Sequence, residues 1–330
     1  LLDDQSGKEM LKITRLSAKF DIIPLFNGKI TISSVQLFGF NINLNKPAPH
    51  MEPNFKFVLD AFASKDTVKT KKDIDLRINS ILIRRGKLSY DVLSEEETPG
   101  KFNPQHIKLH NIIANISLKA LQNDSINAAI KRLSVDEQSG FELRKLSLKV
   151  IANNKGMKIE NFAIEMPGTE MKMDTIRMEY DSLKALNHFA DNVRFSFRTL
   201  PSHVTLNDIS AFVPALSNFK EKLDLNIDVE GTLNQLNCGT LEINAGDKFR
   251  LKGDVSLQDL SRPQDAYVYG HLANLSANKE GIGFLVRNLS PHYNGVPPVL
   301  QHLGNTSFHG EISGYFTDLV MYGLLDRKSV

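Results

Sequence analysis

The sequence predicts a mainly β protein in which short amphipathic strands follow one another in an elongated, stacked arrangement. The clearest example lies between Gly28 and Leu44, where two short strands are predicted to form a hairpin and apolar side chains recur at every second position of the segment GKITISSVQLFGFNINL. A period of two places apolar side chains on one face of a strand and polar side chains on the other. The count shifts by one residue at Gly39, which predicts a bulge or a tight bend there.

This pattern returns in altered form further along the chain, and the recurrence is the second observation behind the fold class. Each copy consists of an alternating strand, a glycine or polar break, and another alternating strand, and the copies lie at 78–90, 106–118, 141–150 and 159–173. Turn signals such as the sequence NNKG at 153–156 recur at intervals of roughly 10 to 15 residues, as is typical of an all-β chain. A degenerate repeat of short amphipathic strands predicts a stacked β architecture rather than a closed pocket.

The first part of the chain is predicted to contain strands and one helix. Residues 11–20 alternate as a strand, and Pro24 in the apolar link that follows argues against a central strand there. After the proline-rich break at 45–53, apolar side chains spaced i, i+3, i+4 and i+7 predict an amphipathic helix over Asn54–Ala63, with Asn54 as its N-cap.

Strands continue to about residue 181 and resume further on, with short helices between them. We expect helical turns at 181–191 and 297–303, and a helix over 208–216 that Pro214 bends or ends. Residues 222–231 form a clear strand, because apolar side chains there alternate with acidic and amide side chains. The pattern predicts about 17 strands and a few short inserted helices.

The whole chain, residues 1–330, is interpreted as one continuous β segment, with sub-boundaries expected near 45–72 and 181–220. It begins at Leu1 without a methionine, a basic region or the apolar stretch that opens a signal peptide. We therefore expect a piece of a longer protein, with any anchor or signal outside these residues.

Composition and motifs predict that the protein is not an enzyme. The 40 basic and 38 acidic residues give a net charge of +2, which does not support a nucleic-acid partner. Cys238 is the single cysteine, so an internal disulfide and a cysteine-based metal site are excluded. The sequence contains neither a P-loop nor a GxSxG nucleophile elbow. His106 and His110 share a strand face, but no carboxylate cluster or third ligand is expected near them, so we predict no metal and no cofactor.

The apolar face of the strands is the remaining candidate for a functional surface. An open face would form a groove that holds an apolar ligand, whereas a closed face would be the ordinary core of a sandwich or a barrel. Periodicity alone does not separate the two. The candidate lining residues are Val35, Leu37, Ile42, Leu44, Ile81, Ile83, Ile107, Leu109, Ile116, Leu118, Leu146, Leu148, Val150, Phe162, Ile164, Met171, Met173, Leu223, Leu225, Ile227 and Val229.

Four stretches, in this order, resemble the TamB group of the AsmA-like repeating-β-groove family. They are ITRLSAKFDIIPLFNGKITISSVQLFGFNINL at 13–44, PNFKFVLDAFASKDT at 53–67, HVTLNDISAFVPAL at 203–216 and PPVLQHLGNTSFHGEISGYFTDLVMYG at 297–323. No single motif is catalytic or highly specific, and the order of the four carries the resemblance.

The resemblance implies an elongated, taco-shaped β-groove that bridges the inner and outer membranes in the periplasm of a Gram-negative envelope. It implies a lipid-transfer path for phospholipid acyl chains, an inner-membrane anchor outside this chain, and an outer-membrane barrel partner of the TamA/BamA type. The first alternative is a scaffold or chaperone that pairs its strand edges with nascent outer-membrane strands. The second is a closed β domain that binds partners at its surface.

Overall fold

The computed structural model describes residues 1–21, 31–63, 77–122, 125–262, 264–289, 305–315 and 318–328. Strands contain 63% of the residues and helices contain 10%, so the mainly β class and the few short helices are confirmed. The chain divides into two compact units, Leu1–Ser147 with Ile209–Pro214, and Leu148–Asp208 with Ala215–Val330. The interpretation as one continuous groove and the sub-boundaries near 45–72 and 181–220 stay predictions.

The first unit is a ladder of long strands. Antiparallel pairing joins β1, β2 and β3, and also β5, β6 and β7, whereas β3 pairs in parallel with β4 and β5. Parallel strands need a crossover, and the segment between β3 and β4 supplies one. The strands are Leu2–Asp3 (β1), Glu9–Asp21 (β2), Thr31–Lys46 (β3), Arg77–Ile78 (β4), Ser80–Val92 (β5), His106–Gln122 (β6), Ser125–Glu137 (β7) and Glu142–Ala152 (β8), of which β8 crosses the division between the units.

A line of left-handed residues crosses the first unit where the apolar count shifts. Gly39 has a φ of 65°, Arg85 on β5 one of 55° and Asn111 on β6 one of 54°. The hairpin predicted over 28–44 is wrong, because residues 31–46 form one continuous strand and no tight bend divides it at Gly39. The ladder between β2 and β3 keeps its register through this position, so no residue is inserted relative to β2 and no bulge forms. The irregularity is a left-handed backbone conformation at one residue, which glycine adopts without steric cost.

The second unit begins with broken strands and continues as an antiparallel meander. β9 pairs with both β10 and β11, and β14 pairs with both β12 and β13, so each short pair acts as one interrupted strand. The remaining strands, β14 to β19, pair in sequence order. The strands are Gly156–Glu165 (β9), Glu170–Met173 (β10), Ile176–Glu179 (β11), Arg194–Arg198 (β12), Ser202–Val204 (β13), Leu223–Thr232 (β14), Gln235–Asn244 (β15), Phe249–Gln258 (β16), Tyr267–Ala277 (β17), Asn305–Tyr315 (β18) and Asp318–Lys328 (β19).

Two of the predicted helical segments form close to where they were expected. The first helix, α1, spans Lys56–Ala63. Asn54 does not cap it, because its side-chain oxygen accepts a hydrogen bond from the backbone N–H of Asn45 at 2.9 Å. The 181–191 turn forms as a 3₁₀ helix over Leu183–His188 followed by α2, Phe189–Asn192. The element predicted at 297–303 lies outside the described residues.

The helix predicted over 208–216 is wrong. This stretch forms two short 3₁₀ turns, Leu206–Ile209 and Pro214–Leu216. Between them the ring of Phe212 packs against Phe102 and Phe141 of the first unit, with centroids 4.8 and 4.9 Å apart. Pro214 cannot donate a helical hydrogen bond, and aromatic packing against the loops before β6 and β8 replaces the helical contacts.

A third helix, α3, covers Lys279–Leu289 and was not predicted. Asn278 caps it, because its side-chain oxygen accepts a hydrogen bond from the N–H of Gly281 at 2.8 Å. Phe284 then packs against Phe219 and Phe249, with centroids 5.6 and 5.7 Å away. The cluster around these rings contains buried side chains from the helix and from β13 to β17: Val204, Leu223, Ala245, Phe249, Ala277, Ile282 and Phe284. α3 therefore closes a hydrophobic core over these strands.

Candidate functional site

Strand register in the first unit brings apolar side chains of successive strands side by side. Residues opposite each other in a ladder point to the same face. Two neighbouring rows run across five strands, from β2 to β7. We call these ten residues the apolar face: Ala18, Val35, Ile81, Ile116 and Ile130 in one row, and Leu16, Leu37, Ile83, Ala114 and Leu133 in the other.

Further rows lie on the other side of the line of left-handed residues. One row joins β2, β3, β5 and β6, and a shorter row joins β3, β5 and β6. They consist of Leu11, Ile42, Leu88 and Leu109, and of Leu44, Tyr90 and Ile107. Among the other candidates in this unit, Leu118 pairs with Ala128, and Leu146 lies on β8. The ladder thus brings together nine of the candidates that were chosen from alternation alone.

The apolar face is partly open to solvent. Leu16 is 61% exposed, and every lining candidate from β3, β5 and β6 is half-buried rather than buried. Among the described residues of the first unit, the buried hydrophobic side chains are Met10, Phe40, Val92, Ala114 and Leu143. A closed core would bury most of its large aliphatic side chains, so this burial pattern is that of a face that the described residues do not cover with a second layer.

The second unit presents a different environment to its candidates. Leu223 is buried in the cluster beneath α3, and Met171 and Leu225 pack against that cluster. Val229 is also buried, opposite Cys238. Phe162 and Ile164 pair with Met173 and Met171, and these residues, together with Leu148, Val150 and Ile227, are half-buried.

The alternation also pointed to strand residues that the candidate set left out. Leu16 and Ala18 belong to the strand predicted at 11–20, and Ile130 and Leu133 lie on β7. Their periodicity was visible, but their membership of the apolar face depends on which strands pair.

A hydrogen-bonded cluster forms around His106 on β6. The prediction that no carboxylate cluster accompanies this histidine is wrong, because β5–β6 pairing places Asp91 opposite it and Glu97 lies close to both. Nδ1 lies 3.0 Å from Oδ1 of Asp91, and Nε2 lies 3.0 Å from the backbone oxygen of Glu95. Ligand atoms of Asp91, Glu97 and His106 lie within 4.8 Å of one another. A metal-bound histidine needs a free lone pair, and here both ring nitrogens face acceptors while Glu97 accepts a hydrogen bond from Lys108 at 2.8 Å. The arrangement fits a clamp on the acidic 93–105 loop better than a metal site.

The clamp predicts a pH-dependent stability. Two acceptors are satisfied together only by the protonated ring, and the Asp91 hydrogen bond holds the pKa of His106 above its ordinary value of 6.5 although burial opposes it. Because the pKa is raised on folding, this stabilisation is complete below about pH 6.5 and is lost as the pH rises through the folded-state pKa. As the pH rises through this pKa, the urea concentration that unfolds half of the wild-type protein should fall relative to the same concentration for His106→Gln. Parallel pH profiles for the two proteins would contradict the clamp.

None of the helices in the described ranges has the length and apolar character that a membrane span requires. Comparison with protein-family models finds no match to this chain, and comparison with curated proteins and with solved structures finds none either.

Proposed function

We propose that the apolar face of the first unit holds phospholipid acyl chains, as part of a non-enzymatic lipid-transfer path between the inner and outer membranes of a Gram-negative envelope. The observation that carries the proposal is the alignment of half-exposed aliphatic side chains in rows across five strands. The sequence resemblance to the TamB group supplies the periplasmic setting and the taco-shaped groove. It also supplies an inner-membrane anchor outside this chain and an outer-membrane partner of the TamA/BamA type.

The energetics favour such a face as a path rather than as a tight site. Transfer of an acyl chain of about 16 carbons from an apolar environment into water costs roughly 13 kcal/mol of free energy, at ~0.8 kcal/mol per methylene. A face of aliphatic side chains returns most of that free energy without holding any one group in place. Transfer from a bilayer to the apolar face is then close to neutral, which allows a lipid to move along the rows.

The face can be tested with a pair of adjacent substitutions. Ile116 lies on the apolar face, whereas its neighbour Ser117 pairs with Ser80 and Ala129 and points to the other face. Ile116→Asp places a charge against the acyl chains, and charge burial is unfavourable. We expect phospholipid bound to the gently extracted protein to fall about tenfold in Ile116→Asp, and to stay near wild type in Ser117→Asp, as measured by native mass spectrometry.

A photo-crosslinking residue at the same two positions tests the path in intact cells. The residue at 116 should capture phospholipid and the residue at 117 should not. A wild-type protein that carries no lipid would contradict the proposal, especially if Ile116→Asp unfolds it as a core substitution does. That result would favour a closed β domain that binds partners at its surface.

The edge strands support a second candidate function, a scaffold for outer-membrane protein assembly. β19 pairs with β18 along its length, and no other described strand pairs with it. It exposes apolar side chains on both faces, with Val320 (60%) and Tyr322 (82%) on one face and Met321 (46%) and Leu325 (60%) on the other. An exposed apolar edge can receive another strand by β-augmentation. Crosslinks from position 322 to a nascent barrel strand or to a TamA/BamA-type barrel would favour this function.

A further inference from the structure

A row of basic and aromatic side chains crosses the first unit on the face opposite the apolar one. Phe38 of β3 lies between Arg15 of β2 and Arg84 of β5, because the ladder pairs Phe38 with both. The next row contains Ser17, Gln36 and Leu82. Together these side chains line a groove of about 600 Å³.

Arg85 does not line the groove itself, but it lies over the Phe38 ring that does. Alternation would send the side chains of Arg84 and Arg85 to opposite faces. Arg85 instead has a left-handed φ of 55°, and its guanidinium lies 5.3 Å from the centre of the Phe38 ring. Three arginines are thus neighbours of Phe38, with Arg15 and Arg84 as its ladder partners and Arg85 over its exposed ring. This conformation is uncommon for a residue with a long side chain.

The positive charge of the groove is not neutralised. No carboxylate belongs to the groove lining. Within the described part of the chain, Arg15, Arg84 and Arg85 form no ion pair with an acidic side chain, whereas lysines elsewhere in this unit do, as in Lys108 with Glu97 at 2.8 Å. Uncompensated like charges held close together repel one another, so an anion bound among them would stabilise the arrangement.

We propose that this groove binds a phosphate monoester or diester that carries an apolar group. Guanidinium groups bind phosphate oxygens through paired N–H donors, and Ser17 and Gln36 can donate further hydrogen bonds. Phe38 and Leu82 provide contacts for the apolar part, and the volume exceeds that of a bare phosphate ion. Both a lipid headgroup and a free organic phosphate have this chemistry. The inference does not depend on the acyl-chain path, because Leu37 is the one residue of the groove lining that also belongs to the apolar face.

Calorimetric titration of the whole chain tests the groove. The probes are dihexanoyl phosphatidic acid below its micelle concentration, hexyl phosphate and inorganic phosphate. We expect both amphiphilic phosphates to bind more tightly than inorganic phosphate, and the affinity to fall with added salt. Arg84→Gln should weaken binding about tenfold, which is what the loss of one charge-assisted hydrogen bond gives. The triple variant Arg15→Gln/Arg84→Gln/Arg85→Gln should abolish it. Phosphatidic acid binding tighter than hexyl phosphate would indicate a lipid source, and equal binding a free organic phosphate.

Two controls make the result specific. Arg177→Gln removes one exposed arginine of β11 in the other unit and should leave affinity unchanged. The triple variant should keep the phospholipid that co-purifies with the wild type, so this inference and the acyl-chain proposal can fail separately. Equal binding by wild type and by the folded triple variant, or an equal loss in Arg177→Gln, would overturn the inference.

Discussion

Gly281→Ala is expected to destabilise the second unit by about 2–3 kcal/mol, the cost of forcing extra volume into a packed interface. A Cβ at this position of α3 would lie 2.0 Å from the backbone oxygen of Lys248 and 2.6 Å from its carbonyl carbon. Neither backbone atom can rotate away, so the helix must move outward. That movement would separate Phe284 from Phe219 and Phe249 and open the core beneath α3.

In isolated helices the same substitution is stabilising, because alanine is favoured over glycine by about 1 kcal/mol. A net loss of stability therefore reports the close approach itself. The measurement is urea unfolding together with hydrogen exchange of the α3 amides. Gly239→Ala is the matched control, because a Cβ there meets nothing within 4 Å. The packing of α3 would be refuted by a Gly281→Ala protein as stable as the Gly239→Ala protein.

Phe40→Ala is expected to cost about 3–4 kcal/mol in the first unit, since a buried ring is removed and the space collapses only in part. Phe40 is 8% exposed, and its ring lies directly over Gly86 on the next strand. A Cβ on residue 86 would lie 2.4 Å from the Cζ atom of the ring. Gly86→Ala alone should therefore destabilise by about 1–3 kcal/mol.

The two substitutions should be strongly coupled. Once Phe40 is alanine the clash disappears, so Gly86→Ala should be nearly neutral in that background, and the double variant should be more stable than the sum of the single effects by about 1 kcal/mol or more. Guanidinium unfolding of the four proteins completes the cycle. Additive effects would mean that the ring does not occupy the space above Gly86.

The strands of this protein could be predicted from the sequence because apolar and polar residues alternate locally within each of them. The alternation correctly marked strand residues at 28–44 and 106–118, but each predicted pair of short strands there is one continuous strand. The NNKG turn forms between β8 and β9, where the Asn153 side chain accepts hydrogen bonds from Lys155 and Gly156. Gly39 marked a left-handed position in the strand. These signals need only neighbouring residues.

The candidate site was predicted only in part. Val35, Ile81 and Ile116 were chosen separately and lie in one row, but Leu16 and Ile130 entered only with the pairing of strands. α3 was not predicted, because two glycines close together are typical of a loop. A glycine is needed at position 281 because a Cβ there would collide with the backbone of Lys248 in the neighbouring turn. The Asp91–His106 pair likewise joins residues whose proximity depends on β5–β6 register.

The sequence by itself determined the mainly β class, the apolar and polar sides of each strand, and the irregular position at Gly39 where the apolar count shifts. The tertiary structure decided which strands pair, including the parallel pairing of β3 with β5, and which apolar sides are covered. It also decided that Arg84 and Arg85 meet at one aromatic ring. The physical reason is that alternation is a local property of the backbone, whereas register, coverage by α3 and the grouping of charges depend on contacts between residues far apart in the chain.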